Sequence, residues 1–285
     1  MEAFSGGTAG FPFSREQVKL LQTGITRLRG NQTEKPEASI IIPVNAQIDL
    51  ENFYFLLKDL VKYQGNHRFE VIAVINNYAE HAPPLEIMYL KQLGATVIDI
   101  PNAKRPGETV SFSARVPAVQ AASSENTIHF DADCRVRNVT AVLDTYVDRL
   151  NDGCALVYSP VEYFGISDEL VMKVRVSIHH AARSFKRNIL KIPTPRGSNY
   201  AVNRTIFLQL YKTGKLRDDI QLGPNIKAIG AKHQYCCSDE TVVLTSGRRI
   251  RKGWLKIIRY IYRRSIFNIR YIFDTGAAQV VKKQM

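Results

Sequence analysis

From residue 38 onwards, short apolar runs alternate with stretches of helical periodicity. The apolar runs cover residues 39–43, 70–75 and 95–100, and their length and β-branched content are typical of strands covered on both faces. Between them, residues 50–63 and about 84–93 carry apolar side chains at helical spacing. Because strand, helix and strand alternate, the pattern predicts a doubly wound α/β fold, with helices on both faces of a mostly parallel sheet.

The pattern continues farther along the chain. It predicts a strand near 155–158, an amphipathic helix over 169–187 and a shorter helix over 204–211. Ahead of the sheet, a leader contains a helix that begins at a capping box of Ser14 and Gln17. We therefore predict three parts, which are the leader (1–36), a main domain (37–247) and a C-terminal tail (248–285).

Polar side chains stand where the predicted strands end. Asn45 and Asn76 follow the first two strands, and Asp131 and Asp133 end an apolar segment at 127–133. Ligands of such sheets bind outside the carboxyl ends of the strands. Side chains two residues apart in an extended segment point the same way, so we expect the two carboxylates to converge. Such oxygen ligands suit Mg²⁺ or Mn²⁺ held together with a diphosphate, although the same spacing is common in surface turns.

The excess of positive charge lies in one segment. The net charge of the 285 residues is +13, but residues 248–273 contain nine basic side chains and no acidic one, so the rest carries only +4. This distribution argues against a nucleic-acid partner. Apolar and aromatic residues are interspersed in the same segment, and two interpretations remain open. It is either an amphipathic helix in contact with an anionic membrane or a helix packed on the main domain with its arginines in water.

The sequence also bears on the cellular location. It shows no secretory signal and no apolar run long enough to span a bilayer. The four cysteines (Cys134, Cys154, Cys236 and Cys237) have neither metal-binding spacing nor the pattern of a disulfide framework. We therefore expect a cytoplasmic protein with reduced thiols, placed at the inner face of the membrane if the tail binds lipid.

Several short segments form an ordered series: 39–44, 70–77, Ala114-Arg115, Asp131-Ala132-Asp133, Gly197 to Arg204, Asp218 to Leu222 and Ser246 to Arg249. Together they resemble the motifs of family 2 glycosyltransferases, which have the nucleotide-sugar-binding GT-A fold. The resemblance covers about residues 38–253. It implies a Rossmann-like central sheet, with a nucleotide-sugar half at 38–133 and an acceptor half at 134–247.

The resemblance implies an inverting, metal-dependent glycosyltransferase of the hexosyltransferase class. Such an enzyme moves a sugar from a nucleotide-diphosphate sugar to a glycan or lipid-linked acceptor hydroxyl, in polysaccharide or glycolipid synthesis. The cofactor would be Mn²⁺ or Mg²⁺, held by Asp131 and Asp133, and Asp219 would be the catalytic base. The donor would contact Pro43, Asn45, Asn76, Arg115, Asp131, Arg248 and Arg249. The acceptor side would include Gly197, Asn199 and Asp218.

The departures from the family pattern cluster on the nucleoside side. Asn45 stands where a tyrosine is frequent, and Asn76 where an aspartate is common. Val116 and Ala118 replace an asparagine and a glycine. Because of these changes, the resemblance does not identify the nucleotide base or the sugar of the donor.

Individual residues have structural alternatives. Asp219 could cap a helix, but Pro224 favours a helix that begins near Gly223, and a cap needs only one acid. Arg248 and Arg249 could be solvated surface residues. A lone histidine such as His233 is usually not a metal ligand, although His233 could be a third one, and Asn199 could serve only a turn.

Two other functions remain open as well. A sugar nucleotidyltransferase would carry a glycine-rich basic loop after the first strand, and residues 44–50 contain neither a glycine nor a cation. A non-catalytic basic module that binds membrane or nucleic acid would not depend on the aspartates.

Overall fold

A computed structural model describes residues 14–30, 34–84, 86–166 and 169–249. The predicted tail from residue 250 onwards, and the side chain of Arg249, lie outside this part of the chain. The strands, in chain order, are β1 (Ala38–Asn45), β2 (Phe69–Asn76), β3 (Thr96–Ile100), β4 (Asn126–His129), β5 (Cys134–Val136), β6 (Leu156–Tyr158), β7 (Val161–Phe164), β8 (Tyr200–Asn203), β9 (His233–Tyr235) and β10 (Val243–Ser246).

Seven of these strands form the central sheet, in the order β3-β2-β1-β4-β8-β6-β9. Strand β8 runs antiparallel to its neighbours β4 and β6, and the other neighbouring pairs are parallel. In β1 the side chains of residues 38–44 are buried whichever face they point to, which explains the continuous apolar run. The predicted mostly parallel α/β sheet is confirmed.

Helices cover both faces of this sheet. They are α1 (Arg15–Arg29), α2 (Leu50–Leu60), α3 (Glu86–Gln92), α4 (Val110–Ala121), α5 (Val139–Asn151), α6 (Leu170–Asn188), α7 (Arg204–Lys212) and α8 (Asp219–Ala228). One apolar core contains buried side chains of α1, α2, α3 and α5, and the other contains those of α4, α7 and α8. The alternation of β1 side chains joins them, because Ile40 and Ile42 lie in the first core and Ile41 in the second.

The leader helix is part of the main body. The predicted capping box is present, with Ser14 accepting from the Gln17 N–H and Gln17 accepting from the Ser14 N–H. Leu21, Ile25 and Leu28 are fully or almost fully buried in the first core. The amphipathic stripe of α1 therefore covers the sheet from outside, as α2 does.

A second, three-stranded sheet in the order β5-β10-β7 was not predicted from the sequence. Its strands have three or four residues each, too few for an alternation to be visible. Thr245 of β10 lies opposite Cys134 of β5, and the Ser246 N–H donates to the Asp133 carbonyl at 3.3 Å. This small sheet brings Arg248 close to Asp133.

Two local predictions were wrong. The segment 127–133 is not one extended strand, because β4 ends at His129 and the Cys134 N–H donates to the Asp131 carbonyl at 3.1 Å, which closes a turn. Asp131 and Asp133 therefore lie on a turn between β4 and β5. Helix α8 begins at Asp219, not near Gly223, because a capping box of Asp218 and Gln221 starts it despite the internal Pro224.

Helix α8 packs against the segment before β8, and Gly223 of the helix is the point of closest approach. A Cβ atom at this position would lie 1.9 Å from the Pro193 carbonyl oxygen. We expect Gly223→Ala to lower the free energy of unfolding by about 3 kcal/mol, because a backbone atom must move. The control is Gly230→Ala, where an added Cβ meets nothing within 4 Å but φ is +68°, so that only backbone strain of about 1 kcal/mol is expected. Equal losses in urea denaturation would contradict the close approach.

Candidate functional site

A single buried guanidinium joins three segments at the carboxyl ends of the central strands. Arg115, on α4, has no exposed surface. Its Nη1 donates to Asp219 Oδ2 at 2.8 Å, and its Nη2 donates to Asp131 Oδ1 at 2.5 Å. The Gly197 carbonyl accepts a further hydrogen bond from Nη2 at 2.6 Å. Because a buried charge must be neutralised, this arrangement ties the two aspartates to the same cation.

Asp218 and Asp219 are adjacent, but only one of them caps helix α8. Asp218 is the N-cap of α8, and its carboxylate accepts from the Ile220 N–H at 3.0 Å. Asp219 is the first residue of the helix, and its Oδ1 accepts a hydrogen bond from the Tyr200 hydroxyl at 2.8 Å. The helix is capped by Asp218, so capping does not explain Asp219.

Opposing effects act on the Asp219 carboxyl. Its burial, together with the charges of Asp218 and Asp131, raises its pKa to about 6, although Arg115 and the Tyr200 hydrogen bond favour the ionised form. Its position at the start of α8 also favours the anion, since backbone N–H groups point towards it. The Tyr200 pKa lies well above its ordinary value because the hydroxyl is buried beside Asp219. Tyr200 therefore stays a hydrogen-bond donor.

Gly197 allows the backbone to approach this cluster. A Cβ atom there would lie 2.8 Å from Arg115 Nη2 and 2.9 Å from Asp219 Oδ2. Asn199, two residues on, is fully buried, and its amide nitrogen donates to the carbonyls of Ser159 and Pro160. Gly197 thus lies at the cluster, whereas the Asn199 amide group holds the chain next to β7 through contacts that are distant in sequence.

Asp133 is paired with a second, more exposed arginine. Arg248 Nη2 donates to Asp133 Oδ2 at 2.7 Å and to Asp49 Oδ1 at 2.6 Å, and 39% of the arginine side chain is exposed. Burial and the nearby Asp131 carboxylate raise the pKa of Asp133 above its ordinary value, against the effect of Arg248. Asp131 and Asp133 are thus close enough to interact, and each is neutralised by a different arginine.

The predicted donor residues of the first strands lie at the same edge of the sheet. Pro43 is buried inside β1, and Asn76 is almost completely buried, with its amide donating to the Val44 carbonyl at 3.1 Å. Asn45 is partly exposed, and its Oδ1 accepts hydrogen bonds from the Gln47 N–H and from Asn77 Nδ2. Of the three, Asn45 is the residue that a ligand can reach.

His233 is not brought to the aspartates. It is exposed on β9, the outermost strand of the central sheet, and its Nδ1 lies 3.3 Å from the Ala231 carbonyl. His129 is a packed residue, stacked on Tyr200 at 4.4 Å between ring centroids. Within the described ranges, no group of three or more His, Cys, Asp or Glu residues could hold a metal ion.

Sequence reasoning missed three residues of the site. Tyr200 looks like a core residue of a short strand, and no local signal reveals its contact with Asp219. Asp49 follows the end of β1 by four residues, a position that could have drawn attention to it. Glu108 is buried and accepts from Arg217 Nη1 at 3.0 Å, which anchors the residue before Asp218 to the start of α4.

Comparisons with known proteins bear on the fold. No protein-family model matches the sequence, and a sequence search finds no matching curated protein. Among solved structures, the chain is similar to the mannosyltransferase PcManGT from Pyrobaculum calidifontis in complex with GDP-Man and Mn²⁺, with 13% identity, a TM-score of 0.51, and coverage of 94% of this chain and 83% of that one. The chain has a glycosyltransferase fold. A mycobacterial protein is also similar, with 15% identity, a TM-score of 0.45, and coverage of 83% and 70%.

The buried and the exposed arginine should differ in their effect on stability. We expect Arg115→Met to lower the free energy of unfolding by about 3–5 kcal/mol, because Asp219 and Asp131 lose their shared cation and Asp219 stays buried. The matched control is Arg248→Met, which also separates an arginine from two carboxylates but at a partly exposed site open to water, where a smaller loss of about 1 kcal/mol is expected. Urea denaturation at neutral pH measures both. Equal losses would contradict the central place of Arg115.

Proposed function

We propose that the protein is an inverting, divalent-metal-dependent glycosyltransferase of the hexosyltransferase class and a distant member of family 2. The observation that carries the proposal is the Arg115 guanidinium, which holds Asp219 of α8 beside Asp131 of the turn after β4. The similarity in fold to a mannosyltransferase solved with GDP-Man and Mn²⁺ supports a nucleotide-diphosphate sugar as the donor. The acceptor would be a glycan or lipid-linked hydroxyl, and the location would be cytoplasmic.

Asp131 and Asp133 fit a divalent cation by their chemistry. Both are carboxylates on a turn, and their side chains keep 24% and 17% of their surface, so a ligand can reach them. With two protein carboxylates, the other ligands would be diphosphate oxygens and water, as is usual for Mg²⁺ and Mn²⁺ at such sites. When bound, the cation would neutralise the charge that develops on the leaving diphosphate.

Asp219 would accept the proton of the acceptor hydroxyl. Each of its oxygens accepts one hydrogen bond, from Tyr200 or from Arg115, and each keeps a second lone pair. The side chain retains 11% of its surface, so the carboxylate is shielded from bulk water but can be approached. Two partners on different elements keep it oriented while the proton is transferred. One base across the sugar from the leaving group implies in-line displacement and inversion.

The two arginines would have different roles. Arg115 is fully buried, so we propose it as a positioning residue rather than the donor ligand suggested by the family resemblance. Arg248 is exposed enough to exchange Asp133 for the donor diphosphate, which a planar guanidinium binds through two parallel hydrogen bonds. Asn45, at the end of β1, would contact the nucleoside.

Two substitutions separate donor binding from transfer. With Mn²⁺ present, we expect Asp133→Ala to weaken nucleotide-sugar binding by about tenfold or more, because a metal ligand is lost. Asp219→Asn should retain donor binding but lose about 10²- to 10⁴-fold in transfer, because the amide accepts no proton. Calorimetry with a panel of nucleotide sugars, beginning with GDP-mannose, measures binding. The rate at which the nucleoside diphosphate is formed measures transfer.

The matched control for these substitutions is Asp218→Asn. It removes the neighbouring acid, while asparagine caps a helix as well as aspartate does, so both binding and transfer should remain. Full transfer by Asp219→Asn, or equal loss by Asp218→Asn, would contradict the assignment of the base.

The dependence of activity on pH provides a further test. Because the pKa of Asp219 is raised to about 6, kcat/KM should fall as the pH is lowered through this value and the carboxyl becomes protonated. The residual activity of Asp219→Asn should lack this acidic limb. A wild-type profile that stays flat from pH 8 to about 5 would argue against Asp219 as the base.

A further inference from the structure

Helix α6 carries an apolar stripe on its outer side. The α6 stripe consists of Leu170, Val171, Val174, Ile178 and Phe185, which recur at spacings of three, four and seven residues and span about 100° of the helix. All five side chains are exposed, with 77% of Leu170 and 55% of Phe185 open to solvent. Ile189, just after the helix, continues the stripe and is exposed as well.

The side of α6 that packs on the domain carries three arginines beside Met172 and Val176, which are partly buried. Arg175 is buried, Arg183 Nη2 donates to the Thr194 carbonyl at 2.6 Å, and the Arg187 guanidinium lies 3.8 Å from the centroid of the Tyr235 ring. A surface helix ordinarily buries its apolar stripe and exposes its charges. In α6 these arginines contact the domain while the five-residue stripe is exposed, which indicates that the stripe binds a partner outside the described residues.

The charges around the stripe narrow the choice of partner. Residues 170–191 contain six basic side chains and no acidic one; Arg175, Arg183 and Arg187 lie against the domain, which leaves Lys173, Lys186 and Lys191 around the stripe. A second copy of this surface would bring like charges together. The C-terminal tail would do the same, since residues 248–273 carry nine basic side chains and no acidic one. An anionic surface has the complementary charge.

A lipid surface also matches the length and polarity of the helix. No helix within the described ranges is long and apolar enough to cross a membrane. An amphipathic helix with an apolar side and flanking cations instead lies in the plane of the interface, with its apolar side chains at the acyl boundary and its cations among the headgroups. Lys173 and Lys191 are both exposed and lie near the two ends of the stripe.

We propose that the α6 stripe, with Lys173 and Lys191, binds the surface of an anionic lipid bilayer. The chain runs from α6 through residues 189–196 to Gly197, which lies beside Asp219. The contact would therefore hold the acceptor side of the site close to the membrane and favour a lipid-linked acceptor. This last consequence rests on the proposed function, whereas the binding itself does not.

Sedimentation of the full chain with vesicles tests the contact. The protein should bind vesicles of phosphatidylcholine with phosphatidylglycerol, bind phosphatidylcholine alone more weakly, and dissociate as salt is raised. Ile178→Glu with Phe185→Glu should reduce binding by about tenfold or more, because two apolar side chains no longer enter the interface. The control is Leu20→Glu, which places the same charge at an exposed leucine of α1 (53% exposed) and should leave binding unchanged.

A label on α6 distinguishes this contact from binding through the tail. An environment-sensitive fluorophore at Phe185→Cys, in a Cys237→Ser background that removes the exposed thiol, should shift its emission to the blue when anionic vesicles are added. The same label at Leu20→Cys should not shift. Vesicle binding without a shift at position 185 would assign the contact to the tail and overturn the proposal.

Other outcomes would also overturn it. One is that the wild-type protein does not bind anionic vesicles. The other is that the protein is a dimer in solution and that Ile178→Glu with Phe185→Glu converts it to a monomer. Unchanged thermal unfolding shows that the variants fold. Nucleotide-sugar binding by the same variants keeps the two proposals apart, because lost vesicle binding with intact donor binding refutes only the membrane contact. Failure of donor binding in the wild type would refute the proposed function alone.

Discussion

Arg115 is a guanidinium without access to solvent, and the candidate site is arranged around its neutralisation. An unpaired cation in this place would be strongly destabilising, so carboxylates must lie within hydrogen-bond distance. Asp131 and Asp219 meet this need, and the Gly197 carbonyl accepts a further N–H. The three groups come from separate segments, so one side chain sets the turn after β4, the start of α8 and the approach to β8 relative to one another.

The aspartates of the site consequently have different environments. Asp219 is buried between Arg115 and Tyr200, and its pKa is raised to about 6, which suits a group that must take up and release a proton near neutral pH. Asp133 instead faces Arg248, which is partly exposed. In the proposed function, the buried Arg115 would hold Asp219 in place as the base, and the partly exposed Arg248 would leave Asp133 to bind a charged ligand.

Helix α6 departs from the usual packing of an amphipathic surface helix, because its apolar stripe is exposed. Arg183 and Arg187 contact the body, while the five apolar residues of the α6 stripe are exposed. The hydrophobic effect does not favour this orientation in water alone, so the helix has the form expected of a protein that works at an interface. Because residues 189–196 connect α6 to Gly197, a contact on this helix would act close to the candidate base.

Elements with local signals were predictable from the sequence alone. Continuous apolar runs specified β1 and β2, the box of Ser14 and Gln17 specified the start of α1, and the order of motifs indicated the fold. Helix α8 begins at Asp219 and not near Gly223, because the capping box at Asp218 is a stronger start signal than Pro224. The ion pair of Arg115 and Asp219, 104 residues apart, and the contacts of Tyr200 and Asp49 with the site become visible only in the folded chain. Such contacts depend on how several packed elements meet, which no local pattern of side chains encodes.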